Sequence, residues 1–109
     1  MTIKDIQDAV RRLHEEHHWP VRSAESRALW LGAEVGELMR EVLQYAGHPE
    51  QQDAIRVRAG HEMYDTMWNL VDLAAIMGID LEEAFSEKAA INRERQWASR
   101  IRESPPELS

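Results

Sequence analysis

Two pairs of carboxylates lie inside otherwise apolar, helical sequence, and these four acids are the residues best suited to chemistry. Glu34 and Glu37 belong to the segment LWLGAEVGELM. Glu62 and Asp65 belong to the segment HEMYDTMWNLV. A spacing of three places both members of a pair on one face of a helix. If the two helices run antiparallel, the four carboxylates face one another, and oxygen ligands of this kind suit Mg²⁺, with Mn²⁺ as a substitute.

The spacing by itself does not separate a metal cluster from a solvated acidic stripe. Acid pairs three residues apart occur five times in the chain: Asp5/Asp8, Glu34/Glu37, Glu50/Asp53, Glu62/Asp65 and Asp80/Glu83. Three of them fall at predicted helix starts or in a polar connector, where capping and solvation explain the acids. The other two have large apolar neighbours, and clustered carboxylates repel one another unless a cation lies among them. Both interpretations therefore stay open.

The composition describes one folded domain. The 109 residues include 20 acidic and 13 basic side chains, for a net charge of -7, and 43% are hydrophobic. These values predict a single domain over residues 1–109, with 103–109 as a frayed tail. The negative balance disfavours binding to a nucleic acid polymer. The chain has no cysteine, no apolar leader and no long apolar run, so we expect a cytoplasmic protein without a membrane partner.

The periodicity of apolar residues predicts helices and no strands. Apolar residues recur at spacings of three and four, and Thr2, Ser23 and Asp80 are suited to cap helix starts. The predicted helices span residues 3–17, 24–45, a short segment around 55–57, 63–77 and 81–102. Short connections favour antiparallel neighbours. The predicted fold is therefore an all-α, antiparallel four-helix bundle.

Taken together, the segments AEVGEL, HEMYD and GIDLEEAFSEKAAINRERQW resemble the MazG-like all-α nucleotide pyrophosphohydrolases, and are similar to the deoxycytidine triphosphate pyrophosphatases. The resemblance covers residues from about 13 to 97. It implies that both acidic motifs bind magnesium and that Glu34 and Glu37 are the catalytic candidates. The implied reaction hydrolyses a nucleoside triphosphate to its monophosphate and pyrophosphate, which cleanses the nucleotide pool. It also implies a homo-oligomer, with a tetramer of two dimers expected and a simple dimer left open.

The same resemblance assigns residues to the rest of the nucleotide. Lys88, Asn92 and Arg95 match the family's tail motif and would contact phosphate, with a solvated basic face as the alternative. Trp19 stands where related enzymes stack a tryptophan on the base. Asn69 lies one helical turn after the second acidic motif, where some relatives carry a pocket tyrosine, so it would bind sugar or base. Ordinary packing between helices remains the alternative for both Trp19 and Asn69.

One departure from the family pattern keeps other functions open. Ala33 occupies a position where many members carry a further glutamate. It leaves undecided whether Glu34 or Glu37 orients the attacking water, and how many metal ions bind. Ala33 also makes conceivable a catalytically silent helical module that binds a nucleotide or a protein. A second alternative is an enzyme resembling phosphoribosyl-ATP pyrophosphatase, which uses similar helices and metal.

The remaining aromatic residues have simpler expected roles. Trp30 and Trp68 are expected in the core or in a subunit interface. His14, His17 and His18 have a spacing compatible with zinc or nickel, but no suitable acid accompanies them in the sequence. The sequence therefore gives only weak support to a histidine metal site at this helix end.

Overall fold

The computed structural model describes residues 1–95, and within that range the chain is entirely helical. The helices are α1 (Ile3–His17), α2 (Ala24–Gly47), α3 (Gln52–Ile76) and α4 (Leu81–Glu94), with one turn of 3-10 helix at Pro49–Gln51. This result confirms the predicted all-α class. None of these helices combines the length and the apolar character needed to span a bilayer.

Side-chain caps fix three of the four helix starts at the predicted residues. Thr2 Oγ1 accepts a hydrogen bond from the backbone N–H of Asp5, whose carboxylate accepts one from the backbone N–H of Thr2. Ser23 and Asp80 each accept a hydrogen bond from the backbone N–H three residues further on. Such caps satisfy amides that have no partner in the first helical turn, which is why α1, α2 and α4 begin where they do.

Two helix boundaries differ from the prediction. The prediction of a short helix near Ile55 and a separate helix from Met63 was wrong. α3 is continuous from Gln52 to Ile76. Ile55 is completely buried, and its packing holds the first half of the helix in place. The helix expected to reach about Arg102 ends at Glu94, since Arg95 has an extended backbone with ψ 154°. The five polar residues 92–96 offer no apolar side chain to hold another turn. The predicted frayed tail lies outside the described residues.

The third helix lies at the centre of the molecule. α2 and α3 share the most extensive pairing, α1 packs against α3, and α4 packs mainly against α1. Among the described residues, most of the buried side chains belong to α3: Ile55, Asn69, Val71, Asp72 and Ala74, joined by Val10 of α1. Two members of this small core are polar, so α3 carries hydrogen-bonding groups into the interior that need partners from its neighbours.

A stripe of apolar and small residues on α2 faces away from the rest of the chain. Leu29, Gly32, Gly36, Met39 and Leu43 recur at spacings of three and four and are all exposed, and we call them the α2 stripe. The side chains of Leu29 and Leu43 are 78% and 71% exposed. A Cβ added at either glycine would meet no atom of the described residues within 4 Å. Residues 1–95 therefore leave this apolar stripe uncovered.

Candidate metal centre and adjoining cleft

α2 and α3 bring three carboxylates close together. One carboxylate oxygen from each of Glu34, Glu62 and Asp65 lies within 4.8 Å of the other two. Glu34 comes from α2, whereas the other two are one turn apart on α3. All three side chains are half-buried. We call these three residues the acidic cluster. Glu37, the fourth acid of the two motifs, is exposed beside the cluster and outside this closest group.

Burial and mutual repulsion make these carboxyls weaker acids than usual. The pKa of Glu62 is raised to about 7 by its removal from water, with hydrogen bonding to Glu37 and the charges of Glu37 and Glu34 adding to the effect. The pKa of Glu34 is also raised, first by burial and then by the negative charges of Glu37 and Asp65. Near neutral pH, Glu62 of the metal-free cluster is therefore only partly ionised.

The donor atoms of the cluster fit a hard divalent cation. Glu34 Oε2 and Glu62 Oε2 are buried, and neither accepts a hydrogen bond from any residue in the range 1–95. A buried acceptor without a partner costs roughly 1–3 kcal/mol. A cation placed among the carboxylates would satisfy both atoms and remove their repulsion. Because every donor is a carboxylate oxygen, the site suits Mg²⁺ or Mn²⁺ better than a metal that prefers sulfur or imidazole.

A cleft of about 390 Å³ adjoins the acidic cluster. Glu34 belongs to both, so the cluster lies at one edge of the cleft. Aromatic rings, two arginines and one amide make up most of its wall: His14, Trp19, Pro20, Arg22, Arg27, Trp30, Glu34, Trp68 and Asn69. Such a wall can stack on a flat ring, hydrogen-bond its edge and attract negative charge.

The aromatic part of the wall depends on the turn after α1. His18 ends the helix in the left-handed conformation, with φ 53°, and the chain then places Trp19 beside the helix it has just left. The Trp19 ring stacks on His17 at a centroid distance of 4.8 Å and meets Trp68 edge-on at 6.2 Å. Trp30 is 51% exposed, so a core position was wrong for this residue, while the alternative of a subunit interface stays a prediction. It lines the cleft instead.

Behind the cleft lies a polar network that connects three helices. Arg27 Nη1 of α2 donates a hydrogen bond to Asn69 Oδ1 of α3 at 2.7 Å, and Asn69 Nδ2 donates to the backbone carbonyl of Asp65 at 2.8 Å. Arg27 Nε lies 2.8 Å from Asp72 Oδ2, and His14 Nε2 of α1 lies 2.9 Å from Asp72 Oδ1. The last two contacts have ion-pair distances without the direction of a hydrogen bond.

Arg27 and Asp72 were not among the functional residues predicted from the sequence. A signal for Asp72 existed, because it is the single charge in the apolar run LVDLAAIM, where an acid needs a buried partner. Nothing in the sequence marked Arg27 as that partner. The zinc or nickel interpretation of the histidines was wrong. Over residues 1–95 the acidic cluster is the one group of three or more potential metal-ligating side chains, and it contains no histidine.

The residues assigned to phosphate lie elsewhere in the described chain. Lys88 and Arg95 are exposed, and Asn92 is half-buried with an Oδ1 atom that has no hydrogen-bond partner within residues 1–95. None of the three lines the cleft. α4 packs mainly against α1, and none of the three residues belongs to the acidic cluster.

Part of the chain is similar to a phage enzyme that acts on nucleotides. A dATP/dGTP diphosphohydrolase from Cyanophage S-2L is 31% identical over 67 residues, which are 62% of this chain and 58% of that protein. The matched part is thus less than two thirds of the relative's length. No protein-family model matches the chain, and no solved structure matches it. The similarity supports a distant relationship to the nucleotide pyrophosphohydrolases.

Proposed function

We propose that this protein is a MazG-like, magnesium-dependent nucleoside triphosphate pyrophosphohydrolase. It converts a nucleoside triphosphate, preferably a deoxynucleotide, and water to the monophosphate and pyrophosphate, and so cleanses the nucleotide pool. The observation that carries the proposal is the acidic cluster at the edge of an aromatic cleft, with two buried carboxylate oxygens that have no hydrogen-bond partner within residues 1–95. The relative that acts on dATP and dGTP supports the choice of substrate class.

The acids of the two motifs have two proposed roles, metal binding and activation of water. Glu34, Glu62 and Asp65 would hold Mg²⁺, with Glu37 at the exposed edge of the group. When bound, the cation supplies positive charge against the phosphate oxygens. Glu34 or Glu37 orients a water molecule and accepts its proton as the water oxygen bonds to phosphorus. The bond between that phosphorus and the departing pyrophosphate breaks in the same step.

The cleft would hold the nucleoside. Trp19, Trp30 and Trp68 present aromatic surface along its wall, and stacking on a base is worth about 1–3 kcal/mol. Asn69 supplies an amide on the same wall for the edge of the base or for the sugar. Since Glu34 lies at the edge of the cleft, a nucleoside bound there would direct its phosphates toward the acidic cluster.

A homo-oligomer would complete the site. The uncovered α2 stripe offers an apolar surface for a second copy, and its two glycines allow a helix to approach closely. We propose a tetramer built from two dimers. In that assembly Lys88, Asn92 and Arg95 would act on phosphate in the site of a neighbouring subunit, which explains why they lie away from the cleft of their own chain.

Release of pyrophosphate tests the proposal directly. Canonical and modified nucleoside triphosphates, together with phosphoribosyl-ATP, are assayed with and without Mg²⁺ for the wild-type protein and for Glu37→Gln and Asp65→Asn. Turnover that needs Mg²⁺ and is lost in both variants is expected. Glu16→Gln, which changes an exposed acid of α1, serves as the matched control. Selective turnover of phosphoribosyl-ATP would favour the phosphoribosyl-ATP pyrophosphatase alternative. Absence of turnover from folded protein would favour the silent binding module.

A further inference from the structure

We propose that Arg27 is a positioning residue that fixes the amide of Asn69 in one orientation and thereby decides which hydrogen-bonding group the cleft offers to its ligand. The inference rests on the proposed nucleotide cleft and adds a determinant of specificity to it. Arg27 acts through Asn69, with which it shares a hydrogen bond of 2.7 Å. Both residues line the cleft.

The chemistry of the two neighbours permits only one orientation of the amide. A guanidinium group can only donate, so the atom of Asn69 that faces Arg27 must be the oxygen. A backbone carbonyl can only accept, so the atom facing Asp65 O must be the nitrogen. Turning the amide by 180° would set donor against donor and acceptor against acceptor. The hydrogen-bonding partners therefore determine the orientation of the Asn69 amide, although its nitrogen and oxygen have nearly the same shape.

Arg27 is itself held in place from the other side. Its Nε lies 2.8 Å from Asp72 Oδ2, and the second oxygen of Asp72 lies 2.9 Å from His14 Nε2. The side chains of Arg27 and Asp72 are only 12% and 7% exposed, so water screens their attraction weakly. Helices α1, α2 and α3 each contribute to this network, which leaves Arg27 little freedom to swing into the cleft.

The fixed orientation has a defined chemical consequence. An asparagine amide has two N–H donors and one oxygen acceptor. In Asn69 one N–H is used by Asp65 and the oxygen lies against the cation of Arg27. The donor left for a ligand is the second N–H, while the oxygen keeps one further lone pair beside the Arg27 cation. The cleft therefore selects a nucleoside that presents an acceptor there, such as a carbonyl oxygen or a ring nitrogen. Without Arg27 the amide can turn over, and the preference weakens.

Binding measurements on a double-mutant cycle would test this role of Arg27. Three of the chain's four tryptophans line the cleft, so quenching of tryptophan fluorescence reports binding without any need for turnover. Arg27→Lys keeps a positive charge for Asp72 but loses the fixed fork of donors. We expect Arg27→Lys and Asn69→Ala each to weaken nucleoside triphosphate binding about 10-fold, which corresponds to the loss of one hydrogen bond to a charged or fixed partner. The double variant should be no weaker than about 10-fold.

Inorganic tripolyphosphate distinguishes positioning from direct contact with phosphate. It has no base or sugar, so its Mg²⁺-dependent binding should stay within about twofold of wild type in both single variants. Independent effects that multiply to about 100-fold in the double variant would overturn the proposal. A tripolyphosphate affinity that falls with Arg27→Lys would also overturn it, because Arg27 would then bind phosphate itself. Where turnover is measured, KM for the nucleotide should rise while kcat stays within about twofold.

Two further comparisons separate the role of Arg27 from a loss of folding and from a failure of the proposed enzymatic function. Arg58→Lys is the matched control, because Arg58 also bridges α2 and α3, through Glu41, but lines no part of the cleft. If Arg27→Lys melts well below wild type, the charge-free combination of Arg27→Met with Asp72→Asn replaces it in the cycle. Nucleotide binding without turnover would end the proposed enzymatic function and still decide the role of Arg27. No nucleotide binding by the wild-type protein would overturn both.

Discussion

One carboxylate oxygen of Glu34 on α2 lies within 4.8 Å of one of Glu62 on α3. The Oε2 atom of each residue is buried and has no hydrogen-bond partner among the described residues. Two like-charged groups in this position oppose each other unless one is protonated or a cation lies between them. The stability of the metal-free protein should therefore depend on the charge of Glu62.

Replacing Glu62 by glutamine should stabilise the metal-free protein and abolish its response to metal. The change removes one negative charge from the cluster and leaves a group of similar shape. We expect a higher Tm than wild type in EDTA at pH 7.5, no further rise on adding Mg²⁺, and about 100-fold weaker turnover. Differential scanning calorimetry and a pyrophosphate assay measure these effects. Glu16→Gln should change neither, and a normal Mg²⁺ response in Glu62→Gln would remove Glu62 from the metal site.

The stability of the metal-free protein should depend on pH through Glu62. The folded protein holds this proton up to a pKa of about 7, whereas the usual value for the group is 4.5. The folded state therefore binds more protons than the unfolded state between these values, and the stability contributed by Glu62 is lost as pH rises from about 4.5 through 7. Metal binding needs the deprotonated form, so the rise in Tm with Mg²⁺ should increase between about pH 6 and 8.

The pH experiment compares wild type with Glu62→Gln, so that other titrating groups cancel. The difference in Tm between the two proteins in EDTA should grow as pH rises and level off above about pH 8, one unit beyond the pKa. Equal slopes for both proteins from pH 5 to pH 8 would show that Glu62 titrates as an ordinary surface acid.

Removing the ring of Trp19 should weaken nucleotide binding without affecting the phosphate end. We expect Trp19→Ala to raise KM about 10-fold for every accepted nucleotide, because one stacking surface is lost, whereas Trp19→Phe should lose less. The affinity for tripolyphosphate measures the phosphate end separately and should not change. Val21→Ala, an exposed change two residues further along the same connector, is the matched control. Unchanged KM values in Trp19→Ala would remove this ring from the nucleotide site.

The wild-type protein should sediment as an oligomer that depends on the α2 stripe. Analytical ultracentrifugation should show a dimer or tetramer of the 12.6 kDa chain. A charge placed in the middle of an apolar interface is costly to bury, so Leu29→Glu and Leu43→Glu should shift the protein toward the monomer. Val21→Glu, at another exposed apolar position outside α2, should not. A wild-type protein that sediments only as the single chain would contradict the proposed assembly.

Local signals in the sequence predicted the parts of the structure that depend on neighbours along the chain. Thr2, Ser23 and Asp80 cap the helices they were expected to cap, because capping involves a residue and the next three amides. The acids of both motifs were identifiable for a similar reason, since their spacing and apolar surroundings can be read directly. Their approach across two helices required the fold.

Features that depend on tertiary packing were not predictable in the same way. The burial of Ile55 extends α3 over a segment whose polar sequence suggested a break. The contact between Arg27 and Asn69 joins residues 42 positions apart, and no local pattern pairs them. The placement of Trp30 in the cleft wall, away from the core, depends likewise on the angle at which α2 meets its neighbours.

The two halves of the candidate site rest on different kinds of structure. The acidic cluster belongs to α2 and α3. Any displacement of these helices would disturb the packing between them. Trp19 belongs to the connector 18–23, which begins at the left-handed His18 and contains no helix. Connectors accept substitutions and insertions more readily than packed helices do. Substrate range is therefore the property that mutation can change with least damage to the protein, so an evolved or engineered enzyme could acquire a new base preference while its hydrolytic chemistry stays the same.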